Sequence, residues 1–274
     1  MTTPATPPTY DRRLLGLSVL IQLVLGALFG HAYDLRIFMT TGYLVGAGRG
    51  PWSPLDLGAV FHHVGFDRLT TIGYPPPWPL VTGLLYRATY GLVPNVFAYG
   101  LALKLPVIAA TVGLAYVVAA ALRRAGAQET TCRRAWAFLL LNPLILFTGA
   151  AWGQIDVIVA LLTVAALVLV WQGRWASSAA LLALAVCTKP TPLPALLVVL
   201  VWLASRAPRQ ALRYAAVTLA WAAVFVVVPV LVLGWRTEQI RQRPNAQFLM
   251  TGGLSFTTVA RVFHDPLTLS LIHI

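Results

Sequence analysis

Residues 97–121 read FAYGLALKLPVIAATVGLAYVVAAA, an apolar stretch in which Lys104 is the only charged side chain. About 20 such residues suffice to cross the hydrocarbon core of a bilayer as a helix. Comparable apolar stretches fill much of the rest of the chain: 14–30, 79–94, 135–151, 155–171, 176–189, 192–205 and 213–234. We therefore predict an all-α protein, a polytopic transmembrane bundle of about seven or eight membrane helices, of which some are short or re-entrant.

The composition excludes the soluble classes of protein. Of the 274 residues, 58% are hydrophobic and only 10% are charged, whereas a soluble domain carries about 25% charged residues. In a soluble protein a net charge of +12 would suggest nucleic-acid binding. In a membrane protein the loop arginines instead set the orientation of the chain. We therefore predict membrane lipid, and not nucleic acid, as the surrounding partner.

The arginines indicate which loops face the cytoplasm. They cluster at several connections between the apolar stretches: Arg12 and Arg13, 123–134, Arg174, and 206–213. All of these lie inside if residues 1–13 are a cytoplasmic tail, residues 14–234 are a transmembrane module, and 79–94 does not cross the membrane. If 79–94 does cross the membrane, every later connection lies on the opposite side, and the basic clusters face outward. The first assignment makes the chain a multi-pass protein of the plasma membrane with a cytoplasmic N-terminus.

Residues 31–78 form a large first outer loop in this topology, and loops of this length are usually functional. Asp34 lies near its start, where a partly desolvated carboxylate at the membrane interface can act as a general base. The alternative is an interfacial acid paired with Arg36. Tyr74 begins the segment Tyr-Pro-Pro-Pro-Trp-Pro. That segment either braces the loop under a cavity or forms an interfacial aromatic belt and the start of a helix.

Four further polar residues interrupt the apolar pattern on the same predicted face. Gln154 and Asp156 stand at the head of a span, where a buried acid is costly and functional by default; Asp156 could equally cap its helix. Lys189 lies in a proline-broken hairpin, where it either binds a lipid phosphate or snorkels to the interface. Arg236 lies in the last outer loop, where it either adds a bidentate phosphate contact or is simply solvated.

Several kinds of chemistry have no sequence motif in this chain. It contains no GxSxG, no HExxH and no P-loop. No spacing of Cys and His suggests a zinc site. We therefore predict an activity with no metal and no cofactor.

The order of the segments resembles a known family. A first span is followed by an outer loop opening with Tyr-Asp-Leu, then Tyr-Pro-Pro-Pro-Trp-Pro, Leu-Asn-Pro, Trp-Gly-Gln-Ile-Asp and Thr-Lys-Pro. Over residues 12–205 this order resembles GT-C membrane glycosyltransferases. It is most similar to bacterial polyprenyl-phosphate-mannose-dependent mannosyltransferases and to the catalytic subunit of GPI mannosyltransferase I. The resemblance implies that Asp34 is the catalytic acid, and that the segments around Gln154, Asp156 and Lys189 line the outer cavity.

The resemblance also implies a reaction. A sugar, expected to be mannose, would pass from a polyprenyl-phosphate donor to a lipid or glycan acceptor at the outer membrane face, with inversion. The GPI enzymes carry Asp-x-Asp in the first outer loop, whereas Arg36 occupies the second acid position here. The missing acid favours a metal-independent hexosyltransferase. Two alternatives stay open, namely a flippase or transporter of lipid-linked sugars and a non-catalytic membrane subunit.

The end of the chain has a different origin in this interpretation. Residues 269–274 read LSLIHI. The DNA string CTGTCTCTTATACACATC encodes them codon for codon and resembles a transposase adapter used in sequencing libraries. We therefore expect 269–274 to be an adapter artefact and 235–268 to be an outer loop from a truncated gene.

Overall fold

The computed structural model describes residues 11–31, 34–53 and 74–237. All of them except Thr237 belong to one unit, Met1–Arg236. Every regular element in these ranges is a helix, so the prediction of an all-α fold is confirmed. The predicted loop 235–268 and the segment 269–274 lie outside the described residues, apart from the first three residues of the loop.

The α-helices follow one another as α1 (Arg12–Leu28), α2 (Asp34–Gly46), α3 (Pro77–Ala88), α4 (Val96–Arg124), α5 (Glu129–Leu141), α6 (Asp156–Trp171), α7 (Trp175–Thr188), α8 (Leu193–Arg206) and α9 (Pro208–Val232). Between α5 and α6 lie a short helical turn, Pro143–Ile145, and a π-helix, Leu146–Trp152. Three segments of the described chain are long and apolar enough to cross a membrane: Val96–Arg124, Glu129–Trp152 and Pro208–Val232. The fold is therefore a membrane helical bundle in which α6, α7 and α8 are shorter apolar helices.

A break after α5 ties this part of the chain to α1. Pro143 cannot continue the helix, and the side chain of Asn142 caps the next turn by accepting two backbone N–H groups. One of these N–H groups would otherwise bond to the carbonyl of Leu140. That carbonyl instead accepts the hydroxyl of Ser18, at 2.7 Å. The break therefore gives α1 a buried polar contact with α5.

The contacts between α1 and α4 show that these helices are antiparallel. Lys104, in the first third of α4, contacts the backbone of Phe29 just after α1, and also that of Ala151 in the π-helix. At the other end, Leu14 of α1 packs against a cluster that includes Ala119 of α4. The end of the bundle near Lys104 is called the site end below, and the opposite end is called the basic end.

The remaining helices run between the same two ends. A Cβ atom at Gly149 would meet both Val107 and Val157, and one at Gly113 would meet Leu161. Residue numbers thus rise together along α4 and α6, so the two helices are parallel. The chain then returns along α7 to the site end, goes back along α8, and returns again along α9. The arginine groups therefore share the basic end: Arg12 and Arg13, 123–134, Arg174, and 206–213.

Helices α2 and α3 lie side by side at the site end. Phe38 packs edge-on against Trp78, with ring centroids 5.4 Å apart, and Gly46 contacts Tyr86 further along. The residue numbers rise together along both helices, so α2 and α3 are parallel. A Cβ atom at Gly42 would lie 1.9 Å from the Tyr99 hydroxyl, so a side chain there would collide with α4.

Helices α2 and α3 can be compared with what the sequence predicted for residues 31–94. No helix was expected within 31–78, yet α2 lies there, because Ile37, Phe38 and Leu44 fall on one helical face and are buried. The apolar stretch predicted at 79–94 forms α3, which has 12 residues. A helix of that length covers about 18 Å, less than the thickness of the hydrocarbon core. The Tyr-Pro-Pro-Pro-Trp-Pro segment does begin a helix, but Trp78 is buried and not part of an interfacial belt.

Candidate functional site

Asp34 is the first residue of α2, and one of its carboxylate oxygens is held by several neighbours. Its Oδ2 accepts hydrogen bonds from Trp152 Nε1 and Gln154 Nε2, both at 2.6 Å. His31 Nδ1 lies 3.1 Å from the same oxygen. Hydrogen bonds to an ionised carboxylate are shorter and stronger than neutral ones. The contacts therefore fix the position and the orientation of the carboxylate.

The two oxygens of the Asp34 carboxylate differ in their contacts with the described residues. Its Oδ1 makes no hydrogen bond to any residue that the structure describes, and the side chain is 24% exposed. A general base must be within hydrogen-bond reach of the proton that it takes. A carboxylate with one oxygen fixed and the other open meets the geometric requirement for accepting a proton from a bound hydroxyl group.

The π-helix and the glycine that ends it bring Trp152 and Gln154 to the same carboxylate. π-Helical turns are rare and often occur at functional sites. This one ends at Gly153, whose φ of 95° lies in the left-handed region that favours glycine. The left-handed turn lets the residues on both sides of Gly153 aim their side chains at Asp34. The Trp-Gly-Gln order in the sequence thus has a geometric explanation.

His31 links the end of α1 to this turn. Its imidazole stacks on the Trp152 ring, with centroids 4.3 Å apart and an angle of 18° between the planes. Its backbone N–H donates to the Trp152 carbonyl at 3.2 Å. Its Nδ1 also accepts the backbone N–H of Asp34 at 3.2 Å. Asp34, His31 and Trp152 therefore form one connected cluster.

A charged pair lies at the same end of the bundle. Lys189 Nζ, just after α7, donates to Asp156 Oδ1 at 2.5 Å, at the start of α6. Burial raises the pKa of the Tyr74 phenol, and the positive charge of Lys189 partly offsets that rise. The negative charges of Asp156 and Asp34 raise the same pKa. Tyr74 is thus electrostatically coupled to both the ion pair and Asp34.

The ion pair decides between the alternatives left open for its members. The N-cap of α6 is Ile155, and the Asp156 side chain accepts from Lys189 instead of capping the helix. Asp156 does open the helix, where its charge suits the N-terminus, as the alternative expected, but its side chain makes no cap hydrogen bond. Lys189 is only 19% exposed and is held by a carboxylate, so it does not simply extend to water.

The two arginines among the candidate residues are placed differently. Arg36 follows Asp34 by two residues, about 200° round the helix, so the two side chains leave α2 on different faces. Arg236 is exposed beyond α9, and it makes no hydrogen bond or ion pair with any described residue. Its neighbour Trp235 is buried and packs edge-on against Trp52, with centroids 5.9 Å apart. A substrate contact for either arginine stays a prediction.

The structure adds residues that the sequence did not single out. His31 is identified only through its contacts with Asp34 and Trp152, whereas Trp152 belongs to the Trp-Gly-Gln-Ile-Asp segment already noted in the sequence. Lys104 is 1% exposed, and its Nζ donates to the backbone carbonyls of Gly26, Phe29 and Ala151. A lone lysine inside an apolar helix is a functional candidate by default. The sequence therefore contained enough information to nominate Lys104.

Comparison with known proteins gives the family. The model of glycosyltransferase family 87 matches residues 73–271, nearly three quarters of the chain. The match includes Tyr74, Gln154, Asp156 and Lys189, and it begins after Asp34. No curated protein matches the chain. The glycosyltransferase part of the expected activity is confirmed, and the chain belongs to glycosyltransferase family 87 as a membrane protein.

Proposed function

We propose that the protein transfers a sugar, expected to be mannose, from a polyprenyl-phosphate donor to a lipid or glycan acceptor, with Asp34 as the general base. The observation that carries this proposal is the carboxylate of Asp34. Trp152 and Gln154 hold its Oδ2, while its Oδ1 has no partner among the described residues. Two donors on one oxygen fix the orientation of the carboxylate, and the other oxygen is proposed to receive the proton.

In the proposed reaction, the acceptor hydroxyl attacks the anomeric carbon of the donor sugar. Its proton passes to Asp34 Oδ1 while the new carbon–oxygen bond forms. The bond between the anomeric carbon and the phosphate oxygen breaks, and polyprenyl phosphate leaves with the electron pair. Attack from the side opposite the leaving group inverts the configuration at that carbon, as expected of a GT-C enzyme.

The ion pair is proposed to meet the donor phosphate. The ammonium of Lys189 has three N–H groups, and one of them donates to Asp156. Another is proposed to donate to a phosphate oxygen. A fixed cation stabilises the charge that develops on a leaving phosphate. Arg36 and Arg236 are proposed as further phosphate contacts, because a guanidinium can bind two oxygens at once.

We also propose that the site end faces outward and the N-terminus lies in the cytoplasm. The arginine groups at the ends of α4, α8 and their neighbours lie at the basic end, away from Asp34. Cytoplasmic loops carry an excess of Lys and Arg. With the basic end inside, Asp34 and Lys189 open to the outer face, where a lipid-linked donor and its acceptor would meet.

We propose that the reaction needs no bound metal. Arg36 stands where the GPI enzymes carry a second acid, and no group of three candidate ligand side chains occurs in residues 11–31, 34–53 and 74–237. Lys189 would supply the positive charge in place of a metal. Transfer should therefore continue in the presence of EDTA. Complete loss of activity that manganese restores would contradict the metal-free reaction.

The test of the base is a transfer assay. Purified protein in nanodiscs is given labelled polyprenyl-phosphate mannose and a mixture of lipid acceptors. Asp34→Asn should lower kcat by about 10³-fold, a typical loss for a general base, without loss of folded protein. Asp11→Asn is the matched control, because Asp11 only caps α1 at the basic end. Wild-type turnover in Asp34→Asn would disprove the proposal.

The same assay separates the enzyme from the two alternatives. A flippase would move labelled donor across vesicles without forming a transfer product, and Asp34→Asn would leave that movement unchanged. A non-catalytic subunit would neither transfer sugar nor move the donor. Transfer by the purified wild-type protein that Asp34→Asn abolishes is the outcome that we expect.

A further inference from the structure

We infer that Lys104 is a positioning residue, which holds the hydrogen-bond donors of Asp34 in place through the backbone. The inference rests on the proposed function, because it takes Asp34 as the base. Lys104 lies within α4, in a helix whose other side chains near it are apolar, and it is 1% exposed. A buried ammonium is costly unless it is fully hydrogen-bonded, so its partners indicate its role.

All the hydrogen-bonding capacity of Lys104 is used inside the protein. An ammonium group has three N–H donors and no acceptor. Lys104 Nζ donates to the carbonyl of Gly26 at 2.9 Å, to that of Ala151 at 3.1 Å, and to that of Phe29. Three donors meet three carbonyls, so none is left for a substrate. Lys104 therefore acts on the reaction only through these backbone contacts.

The three carbonyls belong to two helix ends. Gly26 lies in the last turn of α1 and Phe29 is its C-cap, while Ala151 lies in the last turn of the π-helix. The last carbonyls of a helix lack intrahelical partners and carry a partial negative charge. A cation placed between two such ends satisfies the carbonyls, and the carbonyls offset the cost of burying the cation.

The same two helix ends lead directly to the contacts of Asp34. Trp152 follows Ala151, and its indole donates to Asp34 Oδ2. His31 lies two residues beyond Phe29, and its Nδ1 accepts the backbone N–H of Asp34. The backbone bond from His31 to Trp152 joins the two ends beside Lys104. Lys104 thus fixes the starting point of both segments that hold Asp34.

The experiment compares Lys104→Met with Gln154→Leu and their double variant in the transfer assay. Methionine keeps an unbranched stem and removes the ammonium. We expect Lys104→Met to lower kcat about 30-fold, within the range for losing hydrogen bonds to a charged group, and to change the donor KM less than about threefold. Gln154→Leu removes one donor of Asp34 directly. Both changes loosen the same carboxylate. The fold-decrease in kcat of the double variant should therefore be much smaller than the product of the two single fold-decreases.

Thr111→Val is the matched control. Thr111 lies on α4 about two turns beyond Lys104, is buried, and donates only to the carbonyl of Val107 in its own helix. Thr111→Val should leave kcat unchanged. The double variant Thr111→Val, Gln154→Leu should therefore show the same decrease in kcat as Gln154→Leu alone. The unfolding temperature of each variant in detergent reports the folded state. If Lys104→Met does not fold, Lys104→Arg takes its place, because its planar fork keeps the charge but does not fit three converging carbonyls.

The outcomes separate this inference from the proposed function. If Asp34→Asn retains activity, the base assignment fails whatever the lysine variants do. A second outcome is that Asp34→Asn is inactive but the fold-decreases in kcat of Lys104→Met and Gln154→Leu multiply in the double variant. Lys104 then only stabilises the bundle, and the positioning role is wrong. An increase in donor KM with unchanged kcat in Lys104→Met would overturn the inference in the same way.

Discussion

Asp34 and Asp156 each begin a helix at the same end of the bundle, yet their surroundings differ. Asp34 accepts from the neutral side chains of Trp152 and Gln154, and it is 24% exposed. Asp156 accepts from the ammonium of Lys189 and is 52% exposed. The first carboxylate has one oxygen without a partner among the described residues, whereas the second is paired with a cation. Equivalent helix positions thus have different surroundings, which suit the different roles proposed for them, a base and a counter-ion.

The difference between the two carboxylates predicts that Asp34→Asn and Asp156→Asn lower the catalytic activity by different amounts. Asp34→Asn should lower kcat by about 10³-fold because it removes the base. Asp156→Asn should lower kcat/KM by about tenfold, because it removes one partially exposed ion pair that only orients Lys189. Kinetics of both variants in the same nanodisc preparation measure the difference. Equal losses in kcat would show that the two carboxylates are not divided into base and counter-ion.

The role of Lys189 gives a smaller and more specific effect. Lys189→Ala should raise the donor KM about tenfold, because the donor phosphate loses a charged hydrogen bond, while the acceptor KM stays near its original value. Arg87→Ala is the control for the loss of a positive charge at this end, since Arg87 is exposed and donates to the carbonyl of Gly46. An unchanged donor KM in Lys189→Ala would remove the phosphate contact from the account.

The smallest effect is expected at Tyr74. Burial raises the pKa of Tyr74, so its phenol keeps its proton to a higher pH than a free tyrosine does. Tyr74→Phe should lower kcat/KM about threefold, because it removes a polar phenol that is coupled to Lys189 and Asp156. The factor should be the same at every pH from roughly 6 to 9. A pH–rate profile of the variant checks this. If Tyr74→Phe abolished an alkaline limb of the wild-type profile, the phenol would titrate in the working range.

The long helices could be predicted from the sequence, because uninterrupted apolar residues and arginine-rich connections mark their ends. The stretch 155–171 became α6, and 192–205 became α8. Helix α2 was missed because it is short and lies in a segment mixed with charged and small residues. Its buried face exists only against α3 and α4, as the hydrogen bond from the Tyr99 hydroxyl to the carbonyl of Met39 shows.

The candidate site was predictable in its residue types but not in its pairings. Asp34, Asp156 and Lys189 stand out as polar residues at the edges of apolar stretches. The bond between Trp152 and Asp34 joins residues 118 positions apart. It depends on a π-helix that no apolar periodicity marks. The pairing of Lys189 with Asp156 similarly depends on how α6 and α7 pack, which a linear pattern does not contain.

A structure with donor and acceptor analogues bound tests the central claim most directly. The account predicts that the attacking hydroxyl oxygen lies roughly 2.6–3.2 Å from Asp34 Oδ1, within hydrogen-bond reach of a general base. It also predicts that Trp152 and Gln154 still hold Oδ2, and that a phosphate oxygen contacts Lys189. A bound acceptor whose hydroxyl is hydrogen-bonded to another side chain, with Asp34 out of reach of both substrates, would contradict it.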